Sequence, residues 1–135
     1  MNDRVFFDTN VLVYIVGQKD ERTAKAESLV VNGGIVSVQV LNELASVFHR
    51  KLKMSWQDIL AALDAIRVLC PAPIPLTTDT HDAALRIAIK YGFSFYDALI
   101  AAAALEAECT ILYSEDLQDS QVIDGRLTIR NPFAR

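Results

Sequence analysis

Apolar residues recur along this chain in two rhythms, and the switches between them lay out its elements. Val5-Phe6-Phe7 is a short apolar run closed by Asp8, the signature of a buried strand. Asn10 then offers a cap for a helix over 10–16, with Gly17 as its stop. Residues 21–31 read as a second helix ended by Asn32-Gly33-Gly34, and 35–38 as a short strand. Over 38–52 the period turns helical, with Leu41, Leu44, Ala45, Phe48 and Leu52 on one face. Ser55, with Asp58 three residues on, opens a helix whose predicted core face is Trp56, Ile59, Leu60, Leu63 and Ile66. The prolines of 70–75 forbid helix and lead into a short strand over 74–77. Asp79 or Thr80 starts a helix with Ala84, Ile87, Ala88 and Tyr91 inward and Gly92 as its stop. Ser94 starts another that is apolar nearly all round, which predicts a central, buried helix. Residues 110–113 and 127–130 read as further strands.

Strands alternating with helices predict an α/β fold, with a mostly parallel central sheet flanked by helices. A length of 135 residues implies one domain spanning 1–135. With 52% apolar and 22% charged residues, the chain has the composition of a globular domain rather than a disordered one. A mean hydropathy of +0.23 means that both sheet faces are covered, or that apolar surface awaits a partner. The net charge of −4 excludes a broad basic surface but leaves room for a local one. The longest apolar run, 98–105, is far short of a membrane span. Asp8 and Asn10 interrupt the stretch where a signal peptide needs apolar residues, so a cytoplasmic location is expected. Cys70 and Cys109 fit no metal spacing and are expected as buried thiols, with a single bridge left open.

The acids carry the candidate chemistry. In an open α/β sheet, ligands gather at the carboxyl ends of the strands. Asp8 ends the first strand, and Ser114-Glu115-Asp116 ends the strand over 110–113. Glu43 sits between Val40 and Val47 in a second apolar stripe of its helix, where a carboxylate is costly unless paired or bound to a cation. Each acid has an ordinary reading. Asp8 serves as a helix cap, Asp97 closes a capping box with Ser94, Asp116 and Asp119 are turn residues, and Glu43 reaches water at a stripe edge. Convergence of four of these, Asp8, Glu43, Asp97 and Asp116, on one end of the sheet would favour a site. His49 and His81 lack ligand spacing, and neither a glycine-rich phosphate loop nor a nucleophile elbow is present.

Four ordered segments carry a family resemblance: Phe7-Asp8-Thr9-Asn10-Val11-Leu12-Val13-Tyr14, Val40-Leu41-Asn42-Glu43, the run from Ser94-Phe95-Tyr96-Asp97 to Ala103, and Leu112-Tyr113-Ser114-Glu115-Asp116-Leu117. Together they resemble PIN-domain ribonucleases, and within these the VapC-type toxins of toxin–antitoxin pairs. The resemblance implies a metal-dependent endoribonuclease in which Asp8, Glu43, Asp97 and Asp116 form the catalytic, metal-binding site, Asp8 and Asp97 being the principal ligands. Asn10 and Ser114 would be its polar supports. The residue types suit that chemistry. Packed carboxylates repel one another, and Mg²⁺ or Mn²⁺ prefers oxygen ligands, relieves the repulsion and activates water. RNA would need cationic help, and Arg50, Lys51 and Lys53 form the nearest basic cluster; a solvated helix end is its ordinary reading. The resemblance also implies a cognate small antitoxin and a homodimer. Relatives with this ending often place Gly after the equivalent of Asp119, where this chain has Ser120, so any role for Asp119 stays open. Two alternatives are weighed. A haloacid-dehalogenase-like phosphatase needs D-x-D, whereas the chain has Asp8-Thr9-Asn10. A catalytically inactive PIN-like binding module is disfavoured because all four acids are present.

Overall fold

Two short parallel pairings at the centre of the molecule set its frame. A computed structural model describes residues 3–17 and 19–134. Met1, Asn2, Gln18 and Arg135, which the 1–135 span includes, lie outside the described residues. The strands are β1 (Val5–Phe7), β2 (Ile111–Tyr113), β3 (Val122–Ile123) and β4 (Leu127–Arg130), in the order β1-β2-β4-β3. β1 and β2 are parallel, with Phe7 opposite Tyr113; β2 and β4 are parallel; β3 and β4 are antiparallel. Six described helices flank this sheet: α1 (Thr9–Val16), α2 (Glu21–Val30), α3 (Val38–Arg50), α4 (Trp56–Leu69), α5 (Thr78–Tyr91) and α6 (Phe95–Glu106). The α/β reading with a mostly parallel sheet therefore holds.

Burial explains why the elements lie where they do. Phe6 and Phe7 are both fully buried, so β1 is covered on both faces, as its unbroken apolar run requires. All of 98–105 in α6 is buried, which accounts for a helix without a polar face. No single described helix is long and apolar enough to cross a membrane. Gly92 ends α5 in the left-handed region, at φ 73°. Cys70 and Cys109 are free and buried, so no bridge links them.

Several sequence expectations are corrected. Helix α1 is capped by Asp8 and not by Asn10, because the Asp8 carboxylate accepts from Thr9 N. Helix α5 is capped by Thr77, which exchanges hydrogen bonds with Thr80, so it starts just before Asp79. The strand expected over 35–38 reduces to isolated bridges, Phe6 with Ile35 and Ser37 with Ile74. Ser37 already caps α3, and Pro73 and Pro75 beside Ile74 have no N–H to extend a ladder. Trp56 and Leu60 of α4 are exposed, at 59% and 62%, so its core stripe narrows to Ile59, Ile66 and the half-buried Leu63. Leu52 lies beyond the end of α3, and the fully buried stripe of that helix is Val40, Leu44 and Phe48.

The Ile35 bridge brings Gly34 against the ring of Phe7, so a Cβ at Gly34 would collide with that ring. Phe7 is buried and stacked on Tyr113 at 5.9 Å, which leaves the ring nowhere to go. Gly34→Ala should therefore cost about 1–3 kcal/mol, the usual range for overpacking. Chemical denaturation reads this, and an unchanged midpoint would refute the close approach.

Candidate active site

The site begins where the β1 and β2 backbones run out. Asp8 N donates to Tyr113 O at 3.0 Å and Ser114 N to Arg130 O at 3.0 Å, so the ladder continues one residue past each strand. That extension sets the two side chains next to each other. Ser114 Oγ donates to Asp8 Oδ2 at 2.8 Å, and Thr9 N donates to Asp8 Oδ1 at 2.7 Å. Asn10 spans the same junction. Its Nδ2 lies 3.4 Å from both Asp8 Oδ2 and Ser114 Oγ, and its Oδ1 accepts from Glu115 N at 3.0 Å. Ser114 Oγ also accepts from Leu117 N at 3.3 Å, which fixes the turn after β2. Asn10 and Ser114 are thus both hydrogen-bonded to Asp8.

Asp8 is only 4% exposed. Burial disfavours its charged form and pushes its pKa up from 3.8 to about 7. The Ser114 and Thr9 hydrogen bonds oppose this, while the charges of Glu43 and Asp97 add to it.

The other acids arrive from separate elements. Glu43, half-buried on α3, is clamped at both oxygens. Thr9 Oγ1 donates to Oε1 at 2.7 Å and Gln39 Nε2 to Oε2 at 3.0 Å. Asp97 lies in the first turn of α6, where its N–H bonds Ser94 Oγ at 3.2 Å. No reciprocal bond from its carboxylate completes a capping box. Asp116 is exposed in the turn after β2. All four line one cleft of about 410 Å³, together with Tyr14, Ser46, Arg50 and Lys51. Lys53 is not among its lining residues; it sits in the turn beyond α3, at φ 56°. A larger cavity of about 560 Å³ lies elsewhere, among α5, α6 and the β3–β4 turn, away from these acids.

Among the described residues, no group of three or more His, Cys, Asp or Glu side chains stands close enough to hold an ion as they are. The hydrogen bonds give the physical reason. Asp8 is turned to Ser114 and Thr9, Glu43 is turned to Thr9 and Gln39, and mutual repulsion keeps bare carboxylates apart. The donor set is all oxygen, which fits a hard cation such as Mg²⁺ or Mn²⁺. The thiols of Cys70 and Cys109 are no part of it, and burial pushes both up to about 11.

Sequence reasoning missed three participants. Thr9 and Gln39 aim Glu43; Gln39 sits four residues before it on the same helix face, a spacing that marks a pair. Glu115 Oε1 accepts from the Tyr14 hydroxyl at 3.0 Å, and Arg22 donates to that hydroxyl at 2.9 Å. The other oxygen of Glu115 is buried without a partner among the described residues.

The family model for the PIN domain matches residues 5–122. No curated protein matches the sequence. Among solved structures, a toxin–antitoxin complex from Klebsiella pneumoniae is similar, with TM-score 0.72 and 17% identity over 96% of this chain and 98% of that one. Mycobacterium tuberculosis VapC20, a sarcin–ricin loop cleaving toxin, aligns with TM-score 0.67 and 22% identity over 83% and 89% of the two chains. VapBC2 from Rickettsia felis, bound to a DNA fragment from its promoter, aligns with TM-score 0.66 and 21% identity over 94% and 97%. At these identities the likeness is one of fold.

The raised pKa of Asp8 has a sign that can be checked. A group that binds its proton more tightly when folded contributes stability that is full below pH 3.8 and lost as pH rises through about 7. In chelator, the melting temperature should therefore fall between pH 5 and pH 8. Asp8→Asn should make that fall shallower. Parallel pH profiles for the two proteins would refute the buried-carboxylate account.

Proposed function

This chain belongs to the PIN domain family, and on that premise we propose that it is an Mg²⁺- or Mn²⁺-dependent endoribonuclease acting as the toxin of a toxin–antitoxin pair. One observation carries the reading. Carboxylates from the end of β1, from α3, from the first turn of α6 and from the turn after β2 line one cleft, with Arg50 and Lys51 at its side. VapC20 and the toxin–antitoxin complexes that share the fold support it. The phosphatase alternative has no counterpart in the family match. An inactive module is what a null cleavage assay would reveal.

Asp8, Glu43, Asp97 and Asp116 would hold the cation, which when bound supplies Lewis acidity and an activated water. The chain's own residues do the rest. Ser114, Asn10 and the Thr9 N–H fix Asp8. Thr9 and Gln39 aim Glu43. Arg50 and Lys51 offset the negative field of the cleft and draw in the phosphodiester; Lys53, further along, adds to that field without lining the cleft. The same acids suit an arginine of a small antitoxin, which would pair with them bidentately from an amphipathic helix laid across the groove. The exposed Leu60, Val68, Leu85 and Ile89 fit a homodimer, which light scattering at about 10 µM reads directly.

Purified protein should cut RNA with Mg²⁺ or Mn²⁺ and stop in chelator. Asp97→Asn and Glu43→Gln should each lose at least ~100-fold, the upper range for outer-shell effects on metal sites. The product of an adjacent small reading frame should inhibit, and replacing its arginine with alanine should restore cleavage. Cleavage that persists in chelator and in both variants sinks the metal mechanism.

A further inference from the structure

Beside the acidic cleft runs a second one of about 400 Å³, lined by Gln39, Asn42, Glu43, Ser46, Arg50 and Tyr96. It shares Glu43, Ser46 and Arg50 with the first, so the two form one groove along α3 and the start of α6. Its volume lies within the range of small-ligand sites, about 300–1,000 Å³. One wall is an aromatic ring held in water: Tyr96 is 62% exposed, although its neighbour Asp97 belongs to the acidic cleft. The ring is braced by Phe95 at 5.8 Å, which in turn packs against His81 at 5.4 Å. Across the groove Asn42 is exposed, and its amide bonds no other described residue. Arg50 is steadied by its Nε–H bond to Ser46 Oγ at 2.9 Å, which leaves its terminal N–H groups for an anion.

We propose that this extension is a nucleobase subsite, resting on the ribonuclease reading. An unpaired base next to the phosphate at the acids stacks on Tyr96, the Asn42 amide meets its edge, and Arg50 takes a flanking phosphate. An aromatic face, a free amide and a guanidinium are the chemistry of single-stranded RNA recognition. Of the six residues lining this groove, Tyr96 is the one aromatic and the other five are polar or charged, a lining that offers a base both a ring and hydrogen-bond partners. Because the ring reaches only an unstacked base, the subsite favours loops and single strands over duplex RNA. Gln39 ties the subsite to the chemistry, since its amide is spent on the Glu43 carboxylate.

The test is cleavage of a pool of short unpaired RNAs with Mn²⁺, with the cut positions sequenced. Wild type should prefer particular bases at one position beside the cut. Tyr96→Ala should raise KM roughly tenfold or more, as the loss of one stacked base does, and flatten that preference. Tyr96→Phe should keep both, and Asn42→Asp should change which base is preferred. Binding of a fluorescent oligonucleotide to Asp97→Asn, with and without Tyr96→Ala, reads the subsite without turnover. If wild type cuts but Tyr96→Ala keeps its KM and preference, the subsite is wrong, the ribonuclease reading stands, and the ring is left for a protein contact. If wild type does not cut but binds RNA through Tyr96, the subsite stands and the ribonuclease reading fails. Neither cutting nor binding overturns both.

Discussion

A single buried carboxylate, Asp8, organises this molecule. Parallel pairing of β1 with β2 sets Phe7 opposite Tyr113, so the next residue of each strand, Asp8 and Ser114, must meet. A charge with so little exposure is costly unless it is hydrogen-bonded, and here the donors come from the start of α1 and the end of β2. The consequences spread outward. Helix α1 has to begin at Thr9, which puts the Thr9 hydroxyl on Glu43 and Asn10 on the Glu115 backbone. A one-residue slip between β1 and β2 would break the Ser114–Asp8 and Asn10–Glu115 contacts.

Helix α3 is the second organising element because it serves two masters. Val40, Leu44 and Phe48 bury one stripe in the core. Gln39, Glu43, Ser46 and Arg50 form another stripe at helical spacing along the groove. One rigid rod therefore fixes the separation between the acid at Glu43 and the cation at Arg50, and sites on helices are better defined than sites on loops. Side-chain bonds from Gln39 to Glu43 and from Arg50 to Ser46 keep that stripe in register.

What the sequence reveals of this arrangement follows physical range. The apolar run of β1, the all-round apolar α6 and the strand-end positions of Asp8 and Asp116 are local patterns, and each is where the pattern implies. Asp97 and Glu43 could be placed near the same end only through the resemblance, because nothing local brings α3 and α6 to the strand ends. The Thr9 half of the clamp on Glu43 joins residues 34 apart in sequence and leaves no periodic trace, whereas the Gln39 half follows helical spacing. Strand expectations at 35–38 and 74–77 overreached, since single bridges follow the same apolar pattern as true strands. Strand β3, two residues long, is too short for any period to mark. Trp56 and Leu60 read as core because they continue an apolar stripe, yet α4 leaves them in water.

The proposed function requires four carboxylates from four elements to act as one cation site. Thermal melting at pH 7, with and without Mn²⁺, tests it without reference to any RNA. A ligand that binds only the folded state raises the melting temperature, so Mn²⁺ should stabilise the wild-type protein. Asp8→Asn and Asp97→Asn should each lose most of that rise. Equal stabilisation of all three proteins, or none of the wild type, would contradict the account.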